Sequence, residues 1–239
     1  MAVALTNGHV NRALDFYNKA GKYFIIGGTS AWENEDTPPA PSADEYKLLS
    51  IIGLKRVDNC QLVVPDENGS ISYRTQNWRI VPESVMTTVT EDVVSGSSVI
   101  KVNSLVGITV GCKLRVNNLY DGVVTQINSS NSQVTLNSPA PTTVASGSPV
   151  QGGALVEGAK YVYIDAYLNY DQFPIATYRQ VGVCVGVTPI TSDVLRAAAY
   201  ATGGADEWTS LGVLEVLDNR QPNVRDIDQR ELLSLIVEF

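Results

Sequence analysis

The chain has 239 residues, a hydrophobic share of 44%, a mean hydropathy of zero and a formal net charge of −8. The length bounds it at one or two domains that bury a core without staples, and the composition excludes a disordered chain. The acidic balance makes a poor nucleic-acid binder, because phosphate contacts need a basic surface, and no apolar run approaches the roughly 18 residues of a membrane helix.

The N-terminal MAVALTNGHVNR has neither a basic leader nor a long apolar stretch. The expectation is synthesis in a cytoplasm without an export signal, an extracellular particle remaining open as destination. His9 is the single histidine, near an end expected to fray. Asn11–Ala20 reads as a short helix stopped by Gly21, followed by a strand over Lys22–Ile26 that ends at Gly27-Gly28. A polar, proline-rich loop runs from Trp32 to Pro41. Ser42-Ala-Asp-Glu45 has the spacing of a capping box, which predicts a helix from there to Gly53 with Leu48, Ile51 and Ile52 on one side. Pro65–Gly69 reads as a turn between strands, with Asn68-Gly69 supplying positive φ.

Composition changes abruptly near Thr88 and again near Val150. Between them Tyr120 is the one aromatic residue, and the charges of Glu91, Asp92, Lys101, Lys113, Arg115 and Asp121 cancel. Valine alternates with Ser, Thr and Asn. Strands are predicted over Ser98–Val102, Cys112–Val116, Val123–Ile127 and Gln133–Leu136, with breaks at Gly96, Gly107, Gly111, Asp121-Gly122 and Asn128–Asn131. Residues 88–150 therefore read as a small all-β domain inserted into another one, formed by 1–87 and 151–239 together. The fold class is α+β, mainly β: an antiparallel sheet domain with a few short helices, interrupted by the inserted β-domain.

Beyond the insert, Tyr161–Leu168 has period two, with Val162, Ile164, Ala166 and Leu168 on one face and Tyr161, Tyr163, Asp165 and Tyr167 on the other. Tyr178–Val187 is a second strand. In a hairpin the tyrosines would lie over Gly182, Cys184 and Gly186; alternatively the tyrosine face meets another subunit, since Tyr is enriched at interfaces. Two more strands, Leu211–Leu217 and Glu231–Phe239, close the chain.

Candidate chemistry is sparse. Glu33, Glu35 and Asp36 beside Trp32 offer the carboxylates a glycosidase needs, but three acids in such a loop read better as a solvated turn. Asp226, Asp228 and Glu231 suit a cation, yet Arg220, Arg225 and Arg230 nearby favour a salt-bridged turn. Cys60, Cys112 and Cys184 form no C-x-x-C, so they read as buried thiols rather than zinc or redox ligands. There is no G-x-S-x-G and no G-x-x-x-x-G-K-[ST]. Asn68-Gly-Ser70 and Asn128-Ser-Ser130 match glycan sequons and read as turns. No catalytic residue, cofactor or metal is assigned, and the expected function lies in the protein's surfaces.

Two stretches resemble a known family. Arg12-Ala-Leu-Asp-Phe-Tyr-Asn18, Tyr23-Phe-Ile-Ile-Gly27 and Trp32-Glu-Asn-Glu-Asp-Thr-Pro-Pro-Ala-Pro41 stand at one end. Gly212-Val-Leu-Glu-Val-Leu-Asp-Asn-Arg-Gln-Pro222, Asp228-Gln-Arg-Glu231 and Leu235-Ile-Val-Glu-Phe239 stand at the other, with Tyr178-Arg-Gln-Val181 before them. These resemble the gene-8-type baseplate wedge subunit of contractile-tailed, T-even-like bacteriophages. The resemblance takes in roughly residues 11–55 and 155–239, and the middle departs from it. It implies a non-enzymatic structural subunit of the virion's tail baseplate, made and assembled in the bacterial host cytoplasm. Its partners would be other wedge proteins around the hub and a second copy of itself as a homodimer, without nucleic acid or membrane. It would relay the contraction trigger. The interface residues expected on this basis are Trp32, Pro38, Pro39 and Pro41 in a stiff loop, Asn219 and Arg220 at a hairpin end, and the face of Tyr161, Tyr163 and Tyr167. The alternative is a tail-fibre or adhesin-type virion protein whose β-domain grips host glycans.

Overall fold

The computed structural model describes residues 5–190 and 193–239. Its elements in chain order are α1 (Thr6–Asn18), β1 (Tyr23–Gly27), β2 (Gly53–Arg56), β3 (Asn59–Pro65), β4 (Ile71–Tyr73), β5 (Gln76–Ile80), β6 (Ser84–Thr88), β7 (Val99–Lys101), β8 (Lys113–Val116), β9 (Tyr120–Asn128), β10 (Gln133–Leu136) and β11 (Pro149–Gly153). There follow α2 (Ala154–Glu157), β12 (Tyr161–Leu168), β13 (Ala176–Val185), β14 (Thr188–Pro189), β15 (Val194–Arg196), β16 (Trp208–Ser210), β17 (Val213–Arg225) and β18 (Glu231–Glu238). Strands hold 45% of the chain and helices 7%, so the mainly-β, antiparallel class stands. The chain folds as two compact units. The first takes the chain up to Tyr17, Gln61–Val162 and Glu238–Phe239; the second takes Asn18–Cys60 and Tyr163–Val237.

The first unit is dominated by a six-stranded antiparallel sheet in the order β6-β11-β8-β9-β10-β7. Its two outer strands also meet. Val89 bridges Val102, and the flanking bonds Thr90 N–H to Lys101 O and Asn103 N–H to Thr88 O carry the ladder on. The sheet thereby closes into a small barrel and leaves no free edge. The alternating valines point inward: Val85, Val89, Ile100, Val102, Leu114, Val116, Val124, Val134, Leu136 and Val150 form one buried core. Asp121-Gly122 does not break the chain as expected but lies within β9. The turn before it uses Asn117 and Asn118, both at positive φ, which asparagine tolerates best after glycine.

The same unit holds β3, β5 and β4, hydrogen-bonded in that order, and helix α1. The turn after β3 is present, closed by Gly69 N–H to Asp66 O, but neither Asn68 nor Gly69 has positive φ. Gly69 is required for a different reason: a Cβ there would lie 2.2 Å from the Trp78 carbonyl carbon. His9 does not fray. It sits in α1, and its Nδ1 donates to the Phe239 carbonyl at 2.7 Å while Phe16 packs on the Phe239 ring, centroids 4.9 Å apart.

The second unit is built on an open five-stranded antiparallel sheet, β15-β2-β1-β13-β17. One face is covered by Tyr23, Ile25, Leu48, Leu54, Cys184, Val187 and Leu195. The capping-box helix is absent. Ser42–Glu45 makes an isolated turn, and the backbone beyond it bonds outward: Leu49 N–H to Gln180 Oε1, Gly28 N–H to Leu49 O, Ile52 N–H to Ile26 O. Leu48 and Ile52 are buried by lying against the sheet in an irregular segment. β12 and β13 form no hairpin either. The partners of β13 are β1 and β17, and the space above Gly182 is taken by Leu214 and Ile25 rather than by tyrosines.

Because the barrel core is small and closed, one deletion in it is felt. Leu114→Ala is expected to lower the unfolding free energy by about 2–5 kcal/mol in urea titrations, with native strand content at zero denaturant.

Candidate interface built on three remote segments

Strand β13 is the fourth of five in its sheet and brings two polar residues inside. Arg179 and Gln180 are 8% and 2% exposed. A guanidinium taken out of water needs a carboxylate and filled donors. Both come from the proline-rich loop. Arg179 Nε donates to the two Glu35 oxygens at 2.9 Å each, Nη2 donates to Glu35 Oε1 at 2.7 Å, and Nη1 donates to Thr29 O at 3.0 Å. The hydrogen bonds from Arg179 hold the Glu35 carboxyl below the usual carboxylate range, and the same bonds raise Arg179. Of the three acids first considered for catalysis, Glu35 is thus a fixed counter-ion, and Glu33 and Asp36 remain exposed on the loop.

Gln180 works beside it. Its Oε1 accepts from Leu49 N–H and its Nε2 donates to Asn219 Oδ1, both at 2.9 Å. Gly28, at positive φ, lets the loop pass over this side chain: a Cβ there would stand 2.7 Å from Gln180 Cγ. Asn219 then donates from Nδ2 to Pro39 O at 3.0 Å, Gln221 Nε2 to Asp36 O at 3.1 Å, and Trp32 Nε1 to Arg220 O at 2.9 Å. Arg220 itself holds Asp218 at 2.8 Å and Ser234 O at 3.3 Å. Residues 29–41, 179–180 and 219–221, far apart in sequence, form one clasp.

Several expectations change here. Asn219 and Arg220 lie in the middle of the thirteen-residue β17, not at a hairpin end; the chain turns at Asp226–Gln229 instead. Arg220, Arg225 and Arg230 do not salt-bridge that turn. Arg225, 3% exposed, donates to the carbonyls of Gln229 and Asn169, and Arg230 lies 3.8 Å from the centroid of the Tyr167 ring. Glu231 accepts the Tyr178 hydroxyl proton and an Asn223 bond, and burial together with that carboxylate pushes the phenol far above its ordinary value. Among the described residues no group of three or more His, Cys, Asp or Glu is placed to hold a metal ion.

The tyrosine face is mostly internal. Tyr163 is buried and Tyr161 packs edge-on against Trp78, centroids 5.0 Å apart, which leaves Tyr167 exposed. Cys112 and Cys184 are buried, but Cys60 is only half-buried. Burial raises all three thiols, Cys184 to about 12. The clasp was missed as a unit because only the fold brings its three segments together. The one signal in the sequence was the presence of Arg179-Gln180 in an otherwise apolar strand.

These features define a mainly-β structural protein with a polar clasp on an open sheet. The chain belongs to the family described as baseplate wedge 3 tail fiber network component, whose model matches residues 1–109 and 124–239. It is also similar to "Virion protein 3" of Enterococcus phage phiEF24C, at 23% identity over 235 residues, covering 95% of this chain and 90% of that protein. It is a structural component of a bacteriophage baseplate, and so of the virion.

The clasp has a defined pH response. Glu35 is lowered on folding, so its contribution is complete above the unfolded value of about 4.3 and is lost as pH falls through the lower folded value. Amide exchange in residues 29–41, taken as protection relative to the intrinsic rate at each pH, should stay slow at pH 5 and lose that protection as pH falls through the lowered folded value of Glu35. Glu35→Gln should speed it by at least about tenfold at neutral pH, with the barrel strands unchanged.

Proposed function

We propose that this protein is a wedge subunit of the gene-8-type. On this reading it assembles with other wedge proteins around the hub and passes the contraction trigger through those contacts. The observation that carries the reading is the clasp. The segments that resemble the wedge family are spent on fixing one loop to one sheet, which builds a stiff platform rather than a substrate cleft. Proline fixes φ at Pro38, Pro39 and Pro41, and the loop carbonyls of Asp36 and Pro39 are held by side chains of β17, so little order remains to be lost on docking. Trp32, the three prolines, Asn219, Arg220 and the exposed Tyr167 would form or brace the contact surface of the second unit; Tyr163 is buried there, and Tyr161 packs on Trp78 in the first unit. The barrel, which runs over 84–153 and contains the expected insert 88–150, acts as a spacer. The family description supports tail fibre proteins as further neighbours. Among the described residues no helix is long and apolar enough to cross a membrane.

The test is reconstitution. Mixed with the purified wedge proteins of its phage, the chain should co-elute with at least one, and Arg179→Ala should weaken that complex while a barrel-surface change such as Thr125→Ala does not. Elution apart from every wedge protein would remove the proposal.

A further inference from the structure

We propose that the two loops over residues 169–175 and 226–230, at one end of the open sheet, form a docking surface for a Lys or Arg side chain flanked by an apolar one on another baseplate protein. This deepens the wedge-subunit reading and rests on it.

The first observation is that the two loops are built as one body. The first joins β12 to β13 and the second joins β17 to β18. Asp171 N–H donates to Ile227 O at 3.3 Å, and the pairing of Ala176 with Arg225 sets Ile175 next to the start of the second loop. Arg225, buried, donates from Nη2 to Asn169 O at 2.6 Å and from Nη1 to Gln229 O, so one guanidinium holds both loops. Each loop also closes on itself. Asn169 N–H bonds Gln172 Oε1 at 2.7 Å, and Gln229 N–H bonds Asp226 O at 3.3 Å. A surface ordered in advance loses little entropy on docking.

The second observation is what these loops show to solvent. Tyr170, Ile175 and Ile227 are 60%, 64% and 37% exposed. Apolar side chains gathered on a tied pair of loops mark a contact surface, where scattered ones would not. Asp171 stands at φ +60°, a left-handed position that glycine adopts without cost. An acid is kept there although the backbone favours another residue, and such an outlier points to a role.

Charge selects the occupant. Asp171 and Asp228 are exposed, and among the described residues neither carboxylate has a partner; the third acid, Asp226, accepts the Asp228 N–H. Asp171 follows Tyr170 and Asp228 follows Ile227, so each free carboxylate stands beside an exposed apolar side chain. The two nearby cations are engaged. Arg225 is buried on carbonyls and lines only a cavity of about 10 Å3, too small for a partner side chain, and Arg230 lies over the Tyr167 ring. A cation with an apolar neighbour complements both features at once. A second copy meeting this surface with its own would bring the same free carboxylates together.

A photo-crosslinking residue at position 175 of the full chain, mixed with the purified baseplate proteins of its phage, tests this. The same residue at position 106 in the first unit, where Val106 is exposed, serves as comparison. The expected result is a product from 175, and none from 106, with one partner, at a segment holding Lys or Arg beside an apolar residue. The double variant Asp171→Gly, Asp228→Asn should bind that partner about tenfold or more weakly at low salt, and the gap should close near 1 M salt, where the Debye length falls to about 3 Å. Its unfolding midpoint should not fall, because glycine suits the left-handed φ. The proposal is overturned by a complex that forms with no product from 175, by equal products from 175 and 106, by a product with a second copy or with a segment lacking a cation, or by unchanged affinity in the double variant. If no baseplate protein associates at all, the wedge-subunit reading has failed and this inference falls with it. If the double variant does not fold, the cross-link decides alone.

Discussion

A guanidinium on the fourth strand of a five-stranded sheet, 8% exposed, dictates much of the second unit. Arg179 has no neighbouring acid on its own strand, so its charge is stable there only because a loop some 140 residues earlier supplies Glu35 in forked geometry and Thr29 O for the remaining nitrogen. Satisfying Arg179 fixes Thr29 and Glu35, and the short span between them fixes Trp32. Trp32 then reaches the β17 backbone, and Pro39 and Asp36 are placed where Asn219 and Gln221 hold them. An apolar residue at 179 would relieve the desolvation cost but release the loop. The polar choice gives one arrangement of loop on sheet, a specifying role for buried ionic groups that the exchange behaviour of residues 29–41 makes testable.

The barrel and the open sheet of the second unit handle their edges in opposite ways. The barrel abolishes them, joining Val89 to Val102 so that each strand has two neighbours. Its core is almost wholly Val, Leu and Ile, with Tyr120 only partly buried against it. The open sheet keeps a long edge and covers only part of it with the clasp. The division leaves every strand of the barrel flanked on both sides, while the open sheet keeps ordered backbone along an outer strand.

The sequence was read correctly where local signals decide structure. Alternating valines locate all four strands assigned within 88–150, and Gly27-Gly28 marks the end of the first strand, whereas the first helix runs over Thr6–Asn18 rather than Asn11–Ala20. It misled where a distant partner competes with the local signal. Ser42–Glu45 has a capping-box spacing, but Gln180 and the β1 backbone offer Leu49 and Ile52 better hydrogen bonds than another turn of helix would. The tyrosine and glycine strands matched as a hairpin on paper, yet β17 fills the place beside β13 that β12 would need. The family resemblance put Asn219-Arg220 at a hairpin end. On an outer strand Pro222 needs no ladder partner, and Asn219 spends its amide on Gln180 and Pro39. The clasp itself is half legible: its loop and Asn219-Arg220 are expected interface residues and Arg179 lies in the Tyr178-Arg-Gln-Val181 motif, but nothing in the sequence shows that they touch.

The extent of the family match bears on which part carries the shared role. The matched stretches leave out residues 110–123, which in this fold are the approach to β8, β8 itself, the Asn117-Asn118 turn and the start of β9. A closed barrel tolerates change there, because turn residues face water and the ladder on either side is supplied by β11 and β9. Every residue of the clasp falls inside the matched stretches, as does all of β17. The barrel is matched over most of its strands too: β6, β7, β10 and β11 lie wholly inside the matched stretches, so the family's pattern runs through the barrel as well as the open sheet.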